Sequence, residues 1–539
     1  MSNAAVAAGD LKKHPLGLYV LFGTEMWERF SFYSMLALFT LYLQDPTEGF
    51  HWTPAQATSL YANYLMFVYL SPLVGGWLAD KFIGYRKAVM IGGFFFMAGH
   101  GLLSIPALWA VYLALTCLVV GNGFFKPNVS TMVGNLYPEG SHLKDRAYNI
   151  FYMGINVGAL LAPIVMEIVK AKFGFHPAFA VAAFGMVISV SILWWFKKEV
   201  EGVDAGRLSK PDEPTIEDVD NSTVSDLLPT EVTEAEVRAI DKVPNWRRVV
   251  ALVVIFAIVI VFWMVFHQNG STLTYWANDN TAWSVSGIIS NAINPFWVVT
   301  LTFPLVWFWK FLDDRGREPS TPTKMAIGML LVGLSFFFLG YAAMRGESQQ
   351  VEASMFGNGT FRVNERVLSY LKDEGVPEDV LAAIETAKND EGKSLILEVK
   401  FARDDKASGE QKFLAALGKA LSTEQLEKFK EVILTKAFLF QVSPLWLIFG
   451  YAIVTLGELM LSPMGLSLVS KVAPVRIRGL MMGGWFVATA AGNKLTMIGI
   501  YWSVWKQSSF FLVLGGMAFV MSIVLAFLLK PLKKSMPGV

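Results

Sequence analysis

Apolar residues in this chain gather in blocks of about twenty, the length at which an α-helix crosses the hydrocarbon of a bilayer. The blocks fall near 16–43, 55–79, 88–107, 110–134, 147–169 and 178–197, and again near 249–277, 285–310, 324–344, 438–461, 479–502 and 508–530. They predict an all-α membrane protein with twelve transmembrane helices in two sets of six. Residues 199–247, with the run DEPTIEDVDNSTVSDLLPTEVTEAEV, are too polar to span and read as a solvated linker, with a short helix near Glu231 to Ile240. Residues 346–437 read as a soluble insertion between spans nine and ten. Its runs VPEDVLAAIETAK and GEQKFLAALGKAL are amphipathic, and Ser422 with Gln425 makes a capping box for a third helix, STEQLEKFKEVILTKAF, running on toward the tenth span. LILEVKF adds a strand. The expected division is a first bundle 1–198, a linker 199–247, spans seven to nine in 248–345, the insertion 346–437, and spans ten to twelve with the tail in 438–539.

Lysine and arginine set the orientation. Lys12 and Lys13, Arg86 and Lys87, Lys144 and Arg146, Lys197 and Lys198, Arg315 and Arg317, Arg476 and Arg478, and Lys533 and Lys534 fall on one side by parity. Both termini are therefore expected in the cytoplasm and the insertion outside it. The short polar start MSNAAVAAGDLKKHP lacks a signal-peptide core, so the first span is expected to be retained. The 539 residues are 54% hydrophobic and 17% charged, as a polytopic membrane protein requires, and a formal charge of +1 sets nucleic acid aside as a partner. The single cysteine, Cys117, excludes an intramolecular disulfide and reads as a small buried hydrophobe. Six scattered histidines, with no HExxH and no GxxxxGK[ST], argue against an enzyme, a metal site or a cofactor.

Charge inside the spans carries the chemistry. Glu25, Glu28 and Arg29 lie mid-span, and their i, i+3 and i+4 spacing puts them on one helix face, where the carboxylates can neutralise the arginine. A structural ion pair is the bland reading; a polar pathway is favoured, because each charge costs roughly 2.5–3.5 kcal/mol on insertion. Lys126, in GNGFFKPNVSTMVGN, needs a partner, for which Glu25 and Glu28 are the natural candidates, and Pro127 locally breaks the helix ladder. Glu458 mirrors it as a lone acid in the tenth span. A cavity with Arg29 and Lys126 on one side and Glu458 on the other suits a zwitterion. Tyr33, Asn156 and Asn294 add neutral hydrogen bonding, and Tyr69 and Trp485 add amphipathic aromatic surface, although each alone more often packs between helices.

Several runs resemble one family. EMWERFSFY at 25–33 is similar to the ExxERFxYY signature of the proton-coupled oligopeptide transporters, the peptide branch of the major facilitator superfamily. GGWLADKFIGYRK at 75–87 resembles its loop between spans two and three, and FYMGINVGAL at 151–160 its fifth-span signature. The resemblance implies the major facilitator fold, two six-helix bundles that rock about a central site, in the inner membrane of a bacterium and functional as a monomer. It also implies import of di- and tripeptides driven by the proton gradient. Carried over by position, Arg29, Lys126 and Tyr33 would contact the peptide carboxylate, and Glu458 with Asn156 and Asn294 the amino terminus. Tyr69 and Trp485 would line side-chain pockets; Glu25 and Glu28 would couple protons to peptide with Arg29 and Lys126; Asp80, Arg86 and Lys87 would form a cytoplasmic hinge network.

Four departures stand out. Phe32 replaces the first tyrosine of the signature pair. Leu36 and His267 stand where many relatives place an arginine and an acid that bridge as an outer gate. The packing reading of His267 competes with one in which its protonation, near pH 6.5 for free imidazole, opens the outer gate. The polar stretch 199–247 cannot hold the two extra helices of many bacterial members, and 346–437 shows no likeness to the extracellular domain of animal members. A same-fold carrier of an amino acid, nitrate or glycosylated metabolite is the alternative, and a transport-dead sensor ranks last because the charged set is intact.

Overall fold

The computed structural model describes residues 13–137, 143–203, 243–283, 285–349, 358–363, 365–385, 398–402, 405–474 and 478–536. The helix expected near Glu231 to Ile240 lies outside them. The first half is six long helices: α1 (Leu16–Gln44), α2 (Pro54–Leu78), α3 (Tyr85–Leu103), α4 (Leu108–Asn135), α5 (Leu143–Phe173) and α6 (Phe175–Trp195). The second half opens with α7 (Asn245–Phe266) and the short α8 (Thr272–Asp279), continues through α9 (Ile293–Asp313) and α10 (Thr321–Gln349), and returns to it with α15 (Pro444–Val472), α16 (Arg478–Leu495) and α17 (Gln507–Ser535). Each half has its own apolar core, built on residues such as Phe39, Phe96, Phe125 and Phe179 in one and Phe262, Trp276, Phe336 and Phe511 in the other.

Nine helices among the described residues are long and apolar enough to cross a membrane. The three long helices outside that set are α1, α3 and α16. α1 carries the buried ionic trio, α3 starts on Arg86 and Lys87 and buries His100, and α16 holds Arg478 and Lys494. Apolarity falls where polar groups are internal, so length and hydropathy alone miss these helices.

Between α10 and α15 lies a small module with a core of its own around Phe361, Leu371, Phe413 and Ile433. Strands β1 (Asn358–Arg362) and β2 (Glu398–Ala402) pair antiparallel, and α11 (Glu365–Asp373), α12 (Glu378–Glu385), α13 (Lys406–Leu417) and α14 (Thr423–Ala437) pack with them. The capping box forms, since the Ser422 side chain accepts from Gln425 N and the Gln425 side chain accepts from Ser422 N. α14 does not run on toward the tenth span. Phe438 turns extended, Leu439 N donates to Thr360 O at 2.9 Å, and the next long helix starts only at Pro444.

Two close approaches position the site. Pro127 does not break α4, which runs through it. The carbonyl deprived of a helix donor is that of Gly123, and it faces Gly75 so closely that a Cβ there would lie 2.1 Å from the oxygen. Asn128 also donates back to Phe124 O at 2.7 Å and Thr131 to Pro127 O at 2.9 Å, which stiffens the turn that carries Lys126. In the fifth-span signature, a Cβ on Gly158 would lie 2.3 Å from Met26 O, so its absence lets α5 press against α1 beside Arg29.

Candidate functional site

Arg29 gathers both glutamates. It donates to Glu28 through two nitrogens, with Nη2 to Oε1 at 2.8 Å, and pairs with Glu25 at 3.2 Å. All three side chains are at most 3% exposed, so the trio is a closed, desolvated ion cluster. Such a cluster holds only while its geometry is complete, because removing one partner strands a charge in an apolar interior. One oxygen, Glu25 Oε2, is buried without a hydrogen-bond partner. The guanidinium also lies 4.9 Å from the centre of the Phe32 ring, at the position where the signature has its first tyrosine.

Lys126 stays apart from the expected partners. It lies within electrostatic range of Glu25 and Glu28, yet among the described residues it forms no ion pair, while Arg29 pairs with both. Its ammonium instead stands over the Tyr69 ring at 4.7 Å. The far edge of that contact belongs to the other half, since the rings of Tyr69 and His267 meet edge-on at 5.9 Å. His267 is buried, stacked on Trp263 at 5.0 Å, with Nδ1 3.3 Å from Trp263 O.

Glu458 is held by neutral groups. One amide nitrogen, Asn294 Nδ2, donates to Glu458 Oε2 and to Thr455 Oγ1, each at 2.9 Å. Both of its protons are then used, one on the carboxylate and one on the hydroxyl. Tyr33 and Tyr69 each lie within electrostatic range of Arg29 in their own half and Glu458 in the other, so the aromatic ring set spans the gap between the charges. Asn156 donates to Tyr152 O in its own helix at 2.9 Å, and it is Tyr152 that senses Glu458. Trp485 is buried edge-on to Phe256 at 6.2 Å. Far from this centre, Asp80 sits in a π-helical turn (Ala79–Ile83) closed by Gly84 at φ 83°, Lys87 opens α3, and Arg86 donates to Lys197 O at 3.4 Å and faces Glu201 at 3.8 Å.

Reasoning from sequence missed a set of contacts at the end of the molecule opposite both termini, where the halves are stitched together. Thr40 donates to Gly270 O at 3.1 Å, Thr58 and Tyr275 share a hydrogen bond of 3.1 Å, and Lys494 donates to Asn63 Oδ1. Glu167 of α5 accepts from Ser286 N at 2.8 Å and from Ser286 Oγ. A polar residue near the end of a span is the available signal, but it does not name a partner in the other half.

The profile described as the POT family matches residues 86–202, 205–372 and 412–513. The di-/tripeptide transporter of Lactococcus lactis subsp. lactis (strain IL1403) is 28% identical over 544 residues, covering 97% of this chain and 97% of the relative. YclF of Bacillus subtilis (strain 168), named an uncharacterised transporter, is 28% identical over 566 residues, covering 98% and 96%. A crystal structure of the peptide transporter POT in complex with sulfate aligns with a TM-score of 0.71 at 25% identity, covering 98% of this chain and 97% of that one. With its many apolar helices this is a multi-pass membrane protein, and the chain belongs to the POT family.

Proposed function

We propose that this protein imports di- and tripeptides together with protons by alternating access across a bacterial inner membrane, with twelve spans and both termini in the cytoplasm. The observation that carries the reading is the division of charge at the centre. Among the described residues, the first half presents an ammonium, Lys126, with no carboxylate bound to it, and the second a carboxylate, Glu458, bound to an amide and to no cation. A short peptide zwitterion supplies the missing charge to each. Lys126, with Arg29 and Tyr33, takes the peptide carboxylate; Glu458, with Asn294 and Asn156, takes the ammonium; Tyr69 and Trp485 border the side chains. Names of the relatives support the same substrate class.

Protons enter through the closed trio. Neutralising Glu25 or Glu28 loosens the hold on Arg29, which then turns to the peptide carboxylate beside Lys126, and the return of the proton to the other side resets the cluster. His267 joins this unit through Tyr69, and Asp80, Arg86 and Lys87 act in the hinge at the cytoplasmic end. The stitched end, opposite the termini, is the external gate in its closed form, and the module 358–437 stands outside the membrane. Reconstituted protein in proteoliposomes should concentrate labelled di-alanine only when a proton gradient is imposed. Free amino acids and nitrate should fail to compete; competition by either at similar concentration moves the function to a same-fold carrier.

A further inference from the structure

The inserted module touches the gate through one continuous polar chain. Arg362, the last residue of β1, forms an ion pair with Asp279, the last residue of α8, and the two side chains are 19% and 13% exposed. Asp279 Oδ1 accepts from Asn278 Nδ2 at 2.9 Å, and Asn278 Oδ1 accepts from Gly287 N at 3.2 Å. Ser286, the preceding residue, donates its N and its hydroxyl to Glu167 in the first half. Asn280 anchors the same corner. It is 1% exposed, donates to Phe440 O at 2.9 Å, accepts from Val442 N at 2.8 Å and takes Gln507 Nε2 on its side-chain oxygen at 2.9 Å.

We propose that the module governs the external gate: through Arg362, Asp279, Asn278 and the Gly287–Ser286 backbone it holds two donors in place for Glu167, and so stabilises the closed gate. The inference rests on the alternating-access reading above. Its physical basis is that Glu167 and Ser286 belong to different halves, so their two bonds exist only while this end is shut, whereas every other link lies within the module and the second half. A carboxylate gains from two donors only if both are aimed at once. Ser286 caps the turn Gly287–Ala292, its hydroxyl oxygen accepting from Ile288 N at 3.4 Å and its carbonyl from Ile289 N at 3.3 Å. The Asn278 bond to Gly287 N and the Asp279 bond to Asn278 tie the start of that turn to α8, and Arg362 fixes Asp279 from outside. The module is then a strut whose removal shifts an equilibrium between open and closed gates without touching substrate.

The test reads the gate without transport, so its failure is distinct from failure of the peptide reading. In full-length protein carrying Cys117→Ser, a reporter cysteine at Ser59, beside Met497 of the other half at 3.9 Å, is labelled from outside with a membrane-impermeant maleimide. Arg362→Ala and Glu167→Ala should each raise the labelling rate about fivefold or more. Combined, they should label no faster than the faster single variant, because both break one chain. Arg362→Lys, which keeps a cation beside Asp279 and leaves the Asp279 bond to Asn278 intact, should label at close to the rate of the parent, which a misfolded module does not permit. Unchanged labelling in Arg362→Ala, effects that multiply in the combined variant, or Arg362→Lys as fast as Arg362→Ala would each overturn the proposal.

Discussion

The two halves of this transporter place charge in the bilayer in opposite ways. In the first, Glu25 and Glu28 share the one guanidinium of Arg29 inside a buried cluster, and Lys126 stands nearby over an aromatic face with no ion pair among the described residues. In the second, Glu458 is a single acid steadied by a neutral amide. On the function proposed above, the shared cluster moves a proton, because changing one member changes the whole. On the same reading a lone charge steadied by dipoles binds, since it has no ion-pair partner among the described residues. The comparison predicts that damage in the cluster appears as lost stability as well as lost transport, and damage to the lone charges as lost transport alone.

The largest effect falls on Arg29. Arg29→Ala strands two adjacent buried carboxylates, a loss of about 3–5 kcal/mol, and should lower the unfolding temperature in detergent together with proton-driven uptake. Lys126→Ala removes a charge with no ion-pair partner among the described residues, so it should abolish proton-driven uptake while leaving the unfolding temperature near that of the parent and sparing peptide-for-peptide exchange. Equal thermal losses in the two variants would erase the distinction between cluster and lone charge. Intact concentrative uptake in Lys126→Ala would remove the lysine from coupling.

Glu458→Gln comes next. A hydrogen bond to a charged group contributes about 1.5–3 kcal/mol, so apparent affinity for free dipeptides should fall roughly ten- to a hundredfold, measured by competition against a labelled peptide. The effect should be confined to substrates with a free amino terminus. N-acetylated and free dipeptides competing equally against the parent protein would show that no ammonium is bound there.

These contrasts were only partly open to inspection in the sequence. The ionic trio was legible because i, i+3 and i+4 spacing fixes neighbours on a helix whatever surrounds it. The surroundings of Lys126 were not, since they depend on how α4 meets α1 and α2, which puts its ammonium over the Tyr69 ring. Span positions followed from apolar blocks, but FLFQVSP before Pro444 looks like the start of a helix and is extended, because its backbone bonds go to Thr360 and Asn280 instead. The seventh apolar block likewise leaves the α-helix at Phe266 for a 3-10 turn, His267–Gly270, before α8 starts at Thr272, and Gln268 in that turn donates to Met264 O and Thr496 O. Glu167 and Lys494 looked like ordinary residues near span ends, and only the structure shows their partners in the opposite half.

The smallest effect separates steadying from binding at Glu458. Thr455 is fully buried one turn before Glu458, and its hydroxyl accepts the second proton of the Asn294 amide. With both protons committed, the amide is fixed against Glu458 and Thr455 by its nitrogen. Thr455→Val keeps the shape and deletes the acceptor, leaving one amide proton unsatisfied at a cost of about 1 kcal/mol. The amide then gains freedom to turn, so affinity for free dipeptides should weaken by about fivefold while the carboxylate itself stays in place. Thr455→Ser, which restores the hydroxyl, should recover most of the loss. If Thr455→Val and Thr455→Ser behave alike in peptide competition, the hydroxyl plays no part in aiming Asn294, and Glu458 binds the ammonium without that support.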